Sequence, residues 1–230
     1  MGRYTIPGSK SGVTSTVNIT CTTARSNAKK NGDKWHLYDF ATYCAIIWLY
    51  LIEFADWNCQ ITIGAGVTKS EYSGPVRNGM TDTMIYHTGN STAGSIECAV
   101  QYRWVENLLG NVSQWVDGFN ADGTTAYYCT DPSKYADDTT TGYTKIGTLP
   151  ASGWIKDLTV TDNGLLIPKT IGGSETTYIP DFVWSSYGWS VLCVGGHWGG
   201  GSYAGLLYFN ASNASSRSGS DISARLLCEA

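Results

Sequence analysis

Cysteine and histidine are the residues that most readily bind metals or act as nucleophiles, and the chain has seven cysteines and three histidines. The cysteines stand at positions 21, 44, 59, 98, 129, 193 and 228, and no two form a CxxC pair. This spacing predicts neither a zinc site nor a redox motif. We interpret them as free, buried thiols of a protein assembled in a reducing cytoplasm, with one disulfide left open as an alternative.

The three histidines, His36, His87 and His197, lie in unrelated segments, so their spacing does not support a metal triad. The sequence has no G-x-S-x-G nucleophile motif, no phosphate-binding loop, no H-E-x-x-H motif and no dinucleotide fingerprint. Asp137 and Asp138 lie among polar loop residues, where a solvated surface explains them better than acid–base chemistry. We therefore predict a protein that is not an enzyme and carries no cofactor. Carboxylates brought together from distant loops for glycan hydrolysis stay open as an alternative.

Residues 184–213 combine tyrosine and tryptophan with serine, glycine and asparagine. The aromatic residues supply large rigid contact areas and the small polar residues supply adaptable hydrogen bonds, as in an antibody paratope. Apart from the two serines, the proposed contacts are expected to be exposed, because small polar residues flank them. The alternative is a glycine- and serine-rich connection whose rings pack inside, which fits Trp198 and Phe209 equally well. The side chains that we predict to contact a ligand are Ser186, Tyr187, Trp189, His197, Ser202, Tyr203, Tyr208 and Asn210.

The overall composition limits the class of protein. Charged residues make up only 15% of the 230 residues, whereas glycine, tryptophan and tyrosine are abundant, which predicts a loop-rich, mostly β protein. The net charge of −4 argues against nucleic-acid binding, which needs a basic face. The apolar run from Leu37 to Ile52 contains Asp39 and is too short to span a bilayer, so we expect no membrane insertion. The first eight residues contain no apolar core of a signal peptide.

The first third of the chain predicts one strand and one long helix. Residues 13–21 alternate apolar and polar side chains, which is typical of a half-buried strand, and a helical turn is expected over 23–30. Residues 35–54 predict a helix that is apolar nearly all round and therefore lies within the core, with Asp39 favouring its N-terminus. Residues 55–84 are rich in glycine and threonine and predict a long surface excursion.

The rest of the chain predicts a second, short helix, several strands and one irregular tract. The helix is expected over 103–109, where Gly110 and Asn111 end it. Turn dipeptides predict irregular structure over 120–180. Short strands are expected over 112–117, 190–194, 204–209 and 222–228.

No segment has the composition of a linker, and the chain contains no internal repeat. We therefore predict one α+β domain over residues 1–230. Within it, residues 1–35 form an extended N-terminal segment and residues 184–228 form the ligand-binding region.

Two motifs resemble the formylglycine-generating-enzyme branch of the C-type-lectin fold. Residues 106–116, ENLLGNVSQWV, resemble the DxxGNVWEW segment of that branch. Residues 191–198, VLCVGGHW, followed by ISARL at 222–226, resemble its vxRGGSW and GFR pair. Residues 35–58 look like a segment common in phage and prophage proteins of gut bacteria that carry this domain. The resemblance implies a C-type lectin fold with short twisted antiparallel strands, one long buried helix plus one short helix, and long irregular loops.

Most motif positions are interpreted as scaffold. Gly195 and Gly196 allow two backbone segments to approach closely. Trp115 can fill the core of a domain with little helix. Arg225 lies in an apolar strand and is expected to need a buried acidic partner.

The resemblance also bears on cofactors. Enzymes of this branch use a copper-binding cysteine pair just after the glycines, or three-histidine iron sites, whereas residues 197–203 contain no cysteine. Gln114 stands where the family has a glutamate that helps bind calcium. Because a neutral amide is a weaker ligand for this cation, calcium is disfavoured here but stays open.

In residues 184–213, aromatic residues alternate with scaffold positions such as Val191 and Val194. This pattern resembles that of the target proteins of diversity-generating retroelements. In that group, the lectin fold carries a C-terminal variable region. The resemblance implies a phage or prophage tail adhesin, made in the bacterial cytoplasm and placed at the tail tip of the virion. Its partner would be a bacterial surface protein or glycan, and a homo-oligomer stays open. The alternatives are an oxidase relative of the formylglycine-generating family and a structural virion protein without a ligand.

Overall fold

Strands dominate the architecture, which belongs to the mixed α+β class. The computed structural model describes residues 1–6, 9–69, 71, 73–91 and 98–229. Within these ranges, the helices are α1 (Cys21–Lys29), α2 (Phe40–Phe54) and α3 (Cys59–Thr62). The strands are β1 (Trp35–Leu37), β2 (Gly89–Asn90), β3 (Val100–Tyr102), β4 (Val105–Glu106), β5 (Ser113–Asp122), β6 (Thr125–Tyr128), β7 (Thr144–Thr148), β8 (Gly153–Val160), β9 (Leu166–Ile171), β10 (Phe182–Ser185), β11 (Trp189–Val194), β12 (Phe209–Asn213), β13 (Ile222–Ala224) and β14 (Leu226–Cys228).

One large sheet organises the described residues. Its strand order is β7-β6-β5-β11-β12-β10-β8-β9, and β13 pairs with β5 beside this path. The antiparallel pair β5–β11 places Trp115 opposite Cys193, and β13 runs parallel to β5 with Ala224 opposite Trp115. The two edge strands, β7 and β9, approach each other closely. A Cβ built on Gly147 of β7 would lie 2.6 Å from Ile167 Cδ1 of β9. The sheet is therefore nearly closed.

Helix α2 begins later than expected and is buried on one face only. Its N-cap is Asp39, whose side chain accepts a hydrogen bond from Thr42 N–H at 2.8 Å. One face packs into the main core, whereas Ile52 on the opposite face is 80% exposed. Residues 35–37 form β1, which pairs with β14. The predicted helix over 35–54 is confirmed over Phe40–Phe54, whereas its start at residue 35 and its burial on all sides were wrong. Apolar composition does not show which residues meet the sheet.

The N-terminal region contains a helix where extended structure was expected. Residues 13–21 do not form a strand, since Thr14 makes a single isolated bridge to Arg77 and α1 already begins at Cys21. The side chain of Thr20 caps α1 by accepting a hydrogen bond from Thr23 N–H at 3.2 Å. The helical turn expected over 23–30 is confirmed as most of α1.

Two further local predictions were wrong. Residues 103–109 are not helical, because Arg103 and Trp104 both have positive φ and form the turn between β3 and β4. Residues 204–209 are not a strand, since β12 begins only at Phe209. The spacing of apolar residues in both segments is compatible with regular structure, but contacts with neighbouring segments determine their backbone conformation.

The tract 120–180 contains the long strands β8 and β9 as well as β6 and β7, so its irregular character was overestimated. The pairing of β8 with β9 shifts register on both sides of Asp157, and β9 contains Pro168. Bulges break the alternation of side chains that identifies a strand in a sequence, and proline is tolerated because β9 is an edge strand.

Three predicted strands are confirmed. Residues 112–117 lie in β5, which continues to Asp122, and residues 190–194 lie in β11. Residues 222–228 form β13 and β14, with Arg225 between them. No helix in the described ranges is long and apolar enough to cross a membrane.

Candidate functional site

Residues of two resembling segments, 106–116 and 222–226, meet around Arg225, which is fully buried. Arg225 Nε donates to Gln114 Oε1 at 2.8 Å. Its other nitrogens donate to four backbone carbonyl oxygens, those of Gly2, Arg3, Glu106 and Asn107, at 2.6–3.2 Å. The prediction of a buried acidic partner for Arg225 is therefore wrong, because carbonyl and amide oxygens accept the hydrogen bonds of its guanidinium group instead. Burial lowers the pKa of Arg225 to about 10.

Gln114 has both ends of its amide engaged in this network. Its Nε2 donates to Asn107 O at 2.9 Å, and its Oε1 accepts from Arg225. The residue is fully buried. Its oxygen already serves the scaffold, which gives Gln114 a structural reason to differ from a calcium-binding glutamate.

The paired glycines join this scaffold to the loop before β5. A Cβ on Gly195 would lie 2.6 Å from Leu108 O, and Gly195 has φ +86°, so only glycine fits. Gly110 N–H donates to Gly195 O at 3.0 Å. Trp115 is fully buried and its Nε1 donates to Ile19 O at 2.9 Å, as expected for a core residue.

A cleft of about 410 Å³ opens above this scaffold. Four of the eight predicted contact residues line it, namely His197, Tyr203, Tyr208 and Asn210. Side chains that the sequence reasoning had not selected complete the lining: Ser113, Trp184, Ser212, Asn213, Arg217, Asp221 and Ile222. Trp184 could have been found, because it belongs to the same aromatic segment.

The other four predicted residues lie outside the cleft. Tyr187 is 99% exposed on the turn between β10 and β11, where the half-buried Ser186 precedes it. Trp189 is half-buried at the start of β11, opposite Asp122. Ser202 Oγ donates to an oxygen of Glu175 at 2.7 Å.

The exposure of the predicted contacts differs from one residue to the next. Tyr187 and Tyr203 are exposed as expected, and His197 and Asn210 are half-buried. The expected exposure of Tyr208 was wrong, since it is only 5% exposed although it lines the cleft. Of the two ambiguous rings, Phe209 is core and Trp198 is half-buried.

One side of the cleft continues into an aromatic cluster formed by Trp154, Phe182, Trp184 and Tyr203. The ring centroids of Phe182 and Trp184 are 4.5 Å apart, and those of Phe182 and Tyr203 are 4.8 Å apart. Trp154 lies 5.0 Å from Tyr203. Tyr203 is exposed and the other three rings are half-buried. Partly exposed rings held by one another form a rigid apolar surface at low entropic cost on binding.

The polar side of the cleft is also held in place. Asn210 Nδ2 donates to Tyr208 Oη at 3.1 Å, and Asn210 Oδ1 accepts from Ser212 N–H and Oγ–H. Arg217 Nη2 donates to Asp221 Oδ2 at 2.8 Å. These bonds fix the lining before a ligand arrives.

His197 has a defined tautomer. Its Nδ1 accepts a hydrogen bond from Gly199 N–H at 3.1 Å, so the neutral ring carries its proton on Nε2. Burial lowers the pKa of His197, which keeps the ring neutral at pH 7. The residue is therefore a hydrogen-bond donor toward the cleft and not a cation.

Comparison of this sequence with protein-family models and with curated proteins gives no match. What the chain binds therefore has to follow from the chemistry of the cleft.

A buried carboxylate supports the segment between Tyr203 and Tyr208. Asp181 is fully buried, and its Oδ2 accepts from Leu207 N–H at 2.6 Å. Cys59 Sγ accepts from Leu206 N–H at 3.2 Å on the other side of the same segment. Burial raises the pKa of Asp181 to about 7. The segment that carries Tyr203 and Tyr208 thus rests on a buried carboxyl group that is not part of the cleft lining.

One group in the described part of the chain has metal-ligand spacing, formed by Cys21, Asp117 and Asp137. Arg25 already supplies the positive charge there, because its Nη2 donates to Asp117 at 2.6 Å and also to Asp137. We interpret the group as a buried ion-pair network. The three histidines do not form such a group among the described residues.

The interpretation of the cysteines as free, buried thiols is confirmed for five of them, whereas Cys228 is exposed. Burial raises the pKa of Cys193 well above its usual value, which opposes thiolate formation. Cys21, Cys44, Cys59, Cys129 and Cys193 are free and buried, and Cys228 is free and exposed.

Proposed function

We propose that this chain is a non-enzymatic receptor-binding protein that holds its ligand in the cleft. The observation that carries the proposal is the convergence of His197, Tyr203, Tyr208 and Asn210, chosen from composition alone, on one cleft with an aromatic side. Concave sites with apolar walls and a few fixed polar groups are the usual form of binding sites. The residues below the cleft serve packing, so the lining can change without loss of the fold.

The proposal includes a C-type lectin fold of the formylglycine-generating-enzyme branch. Support comes from the meeting of the three resembling segments, since β5, β11 and β13 are neighbours in one sheet. The buried Arg225 gives two of these segments, 106–116 and 222–226, a physical link, because it bonds to both Gln114 and Glu106. A fold alone does not define a function, so the functional part of the proposal rests on the cleft.

We further place the protein at the tail tip of a phage or prophage, with a bacterial surface protein or glycan as its partner. The exposed side chain of Tyr203 favours this role, because it lies beside the buried Ala204. Such an arrangement permits variation of contact residues at small cost in stability. A homo-oligomer is compatible with this role.

The oxidase alternative is disfavoured by the surroundings of Cys193. This thiol is fully buried within β11 beside Trp115, and its pKa is raised by burial. A redox-active cysteine needs an accessible thiolate. The structural-virion alternative differs from our proposal in one measurable respect, which is the absence of ligand binding.

Retention on intact bacterial cells tests the proposed function. We expect the labelled protein to bind at least one strain of a panel of gut bacteria, and the double variant H197A/R217A to bind roughly 10–100-fold more weakly. Both side chains are accessible from the cleft and neither is a core residue, so the melting temperature should change little.

The matched control is Y187A, which removes an exposed ring outside the cleft. It should keep the binding of the unmodified protein. Loss of binding in Y187A together with full binding in H197A/R217A would move the contact surface to the β10–β11 turn. Absence of binding to every strain would favour the structural-virion alternative.

A further inference from the structure

The cleft offers several hydrogen-bond donors that have no acceptor among the described residues. In the described part of the chain, no group accepts from Trp184 Nε1–H or from the Tyr208 hydroxyl, whose oxygen already accepts from Asn210. His197 Nε2 carries a proton because Nδ1 is an acceptor. Arg217 bonds to Asp221 through Nη2 alone, which leaves further N–H groups for a ligand. The complementary ligand is rich in acceptors.

The charges of the lining favour an uncharged ligand. Arg217 and Asp221 form an ion pair, and His197 is neutral at pH 7. A ligand carboxylate would approach the Asp221 carboxylate, and a ligand ammonium would approach the Arg217 guanidinium. Either charge would also lose its hydration without an unpaired opposite charge in the lining.

The aromatic side of the cleft adds a third requirement. Trp184 and Tyr203 present partly exposed rings, and Ile222 adds an aliphatic side chain. Apolar C–H groups or a methyl group gain free energy when they cover such surface. The ligand therefore combines a flat or methyl-bearing apolar part with neutral acceptors.

These three requirements are met together by an N-acetylated sugar. We propose that, given the receptor-binding function above, the cleft binds an N-acetylhexosamine unit of a surface glycan. The acetamido carbonyl and the hydroxyl oxygens accept from the free donors, while the acetyl methyl and the C–H face of the ring cover Trp184 and Tyr203. The Tyr203 hydroxyl and Ser113 Oγ are the acceptors available to the amide N–H.

The test uses three sugars and the indole N–H signal of Trp184. This signal is assigned in a ¹H–¹⁵N spectrum as the one lost in W184F. The probes are N-acetylglucosamine, glucose, which lacks the acetamido group, and glucuronate, which adds a carboxylate. N-acetylglucosamine should shift the signal to saturation with a Kd at least roughly tenfold below that of either other sugar, because sites reject analogues that leave donors unpaired.

Two variants localise the effect. Arg217→Gln should weaken N-acetylglucosamine binding, whereas Tyr187→Ala should leave the titration unchanged because its ring lies outside the cleft. Equal binding of glucose would refute recognition of the acetamido group, and tighter binding of glucuronate would refute the preference for an uncharged ligand. Absence of a shift with all three sugars would refute the proposal that the ligand is a saccharide. If cell retention nevertheless still depends on His197 and Arg217, the receptor-binding proposal survives without its sugar.

Discussion

Replacement of Arg225 by methionine should lower the free energy of unfolding by more than about 3 kcal/mol, because each buried acceptor that loses its donor costs about 1–3 kcal/mol. The methionine side chain fills similar space but leaves Gln114 Oε1 and the carbonyl oxygens of Gly2 and Glu106 buried without their donor. An unpaired buried acceptor loses its hydration without compensation. Urea unfolding with an unchanged m-value measures this loss.

The control for Arg225→Met is Arg217→Met. Arg217 is partly exposed and its ion pair with Asp221 faces solvent, so this variant should lose less than about 1 kcal/mol. A loss below about 1 kcal/mol in Arg225→Met as well would show that the guanidinium network does not hold residues 2–3 and 106–114 against the C-terminal strands.

The second large effect concerns the pH dependence of stability and the carboxyl group of Asp181. The ionisable neighbours in the described chain are Tyr43, Tyr50 and Cys59, and none of them is a cation. Burial therefore raises the pKa of Asp181 from its usual value of 3.8 to about 7. Between these two pH values, the native state keeps a proton that the unfolded chain has released.

The sign of the effect follows directly. Because the native state binds more protons, this group reduces stability as pH rises from about 4 to about 7, by up to about 1.4 kcal/mol per pH unit. Above the native pKa, the penalty is constant. Asp181→Asn removes the ionisation while its amide oxygen can still accept from Leu207 N–H, so the variant should be more stable than the unmodified protein at pH 8 and similar at pH 4.

The quantity to measure is the difference in unfolding free energy between Asp181→Asn and the unmodified protein, at several pH values from 4 to 8. This difference isolates Asp181 from other groups, such as Asp117, whose pKa is also raised by burial. Asp131→Asn serves as a control, because hydrogen bonds from Ser133 lower the pKa of this exposed carboxyl to about 2. A constant difference for Asp181→Asn over the whole range would contradict the prediction.

Local features of the fold were predictable from the sequence. Asp39 was correctly placed at the start of the long helix, where its carboxylate caps Thr42. The strands β5 and β11 were located because their side chains alternate or form short apolar runs. The aromatic segment after residue 184 was predicted from its composition to contact a ligand, and half of the residues selected from it line the cleft.

Features that depend on distant partners were not predictable. Trp35–Leu37 form a strand because the C-terminal strand β14 lies beside them. Arg103 and Trp104 adopt positive φ because β3 and β4 must turn there. Arg225 finds its acceptors in residues more than one hundred positions away. None of these relations leaves a local signal in the sequence.

The sequence alone indicated most of the chemistry of the cleft, since its aromatic, amide and hydroxyl groups come from residues 184–222, with Ser113 as an exception. Which of these groups reach the cleft was set by the packing of the folded chain. Tyr187 and Tyr208 were both expected to be exposed, yet one is 99% exposed and the other 5%. The difference arises because burial depends on which other segments lie over a side chain. For Tyr208, the buried carboxylate of Asp181 holds the preceding residue in the core, whereas Tyr187 stands alone at the tip of a turn.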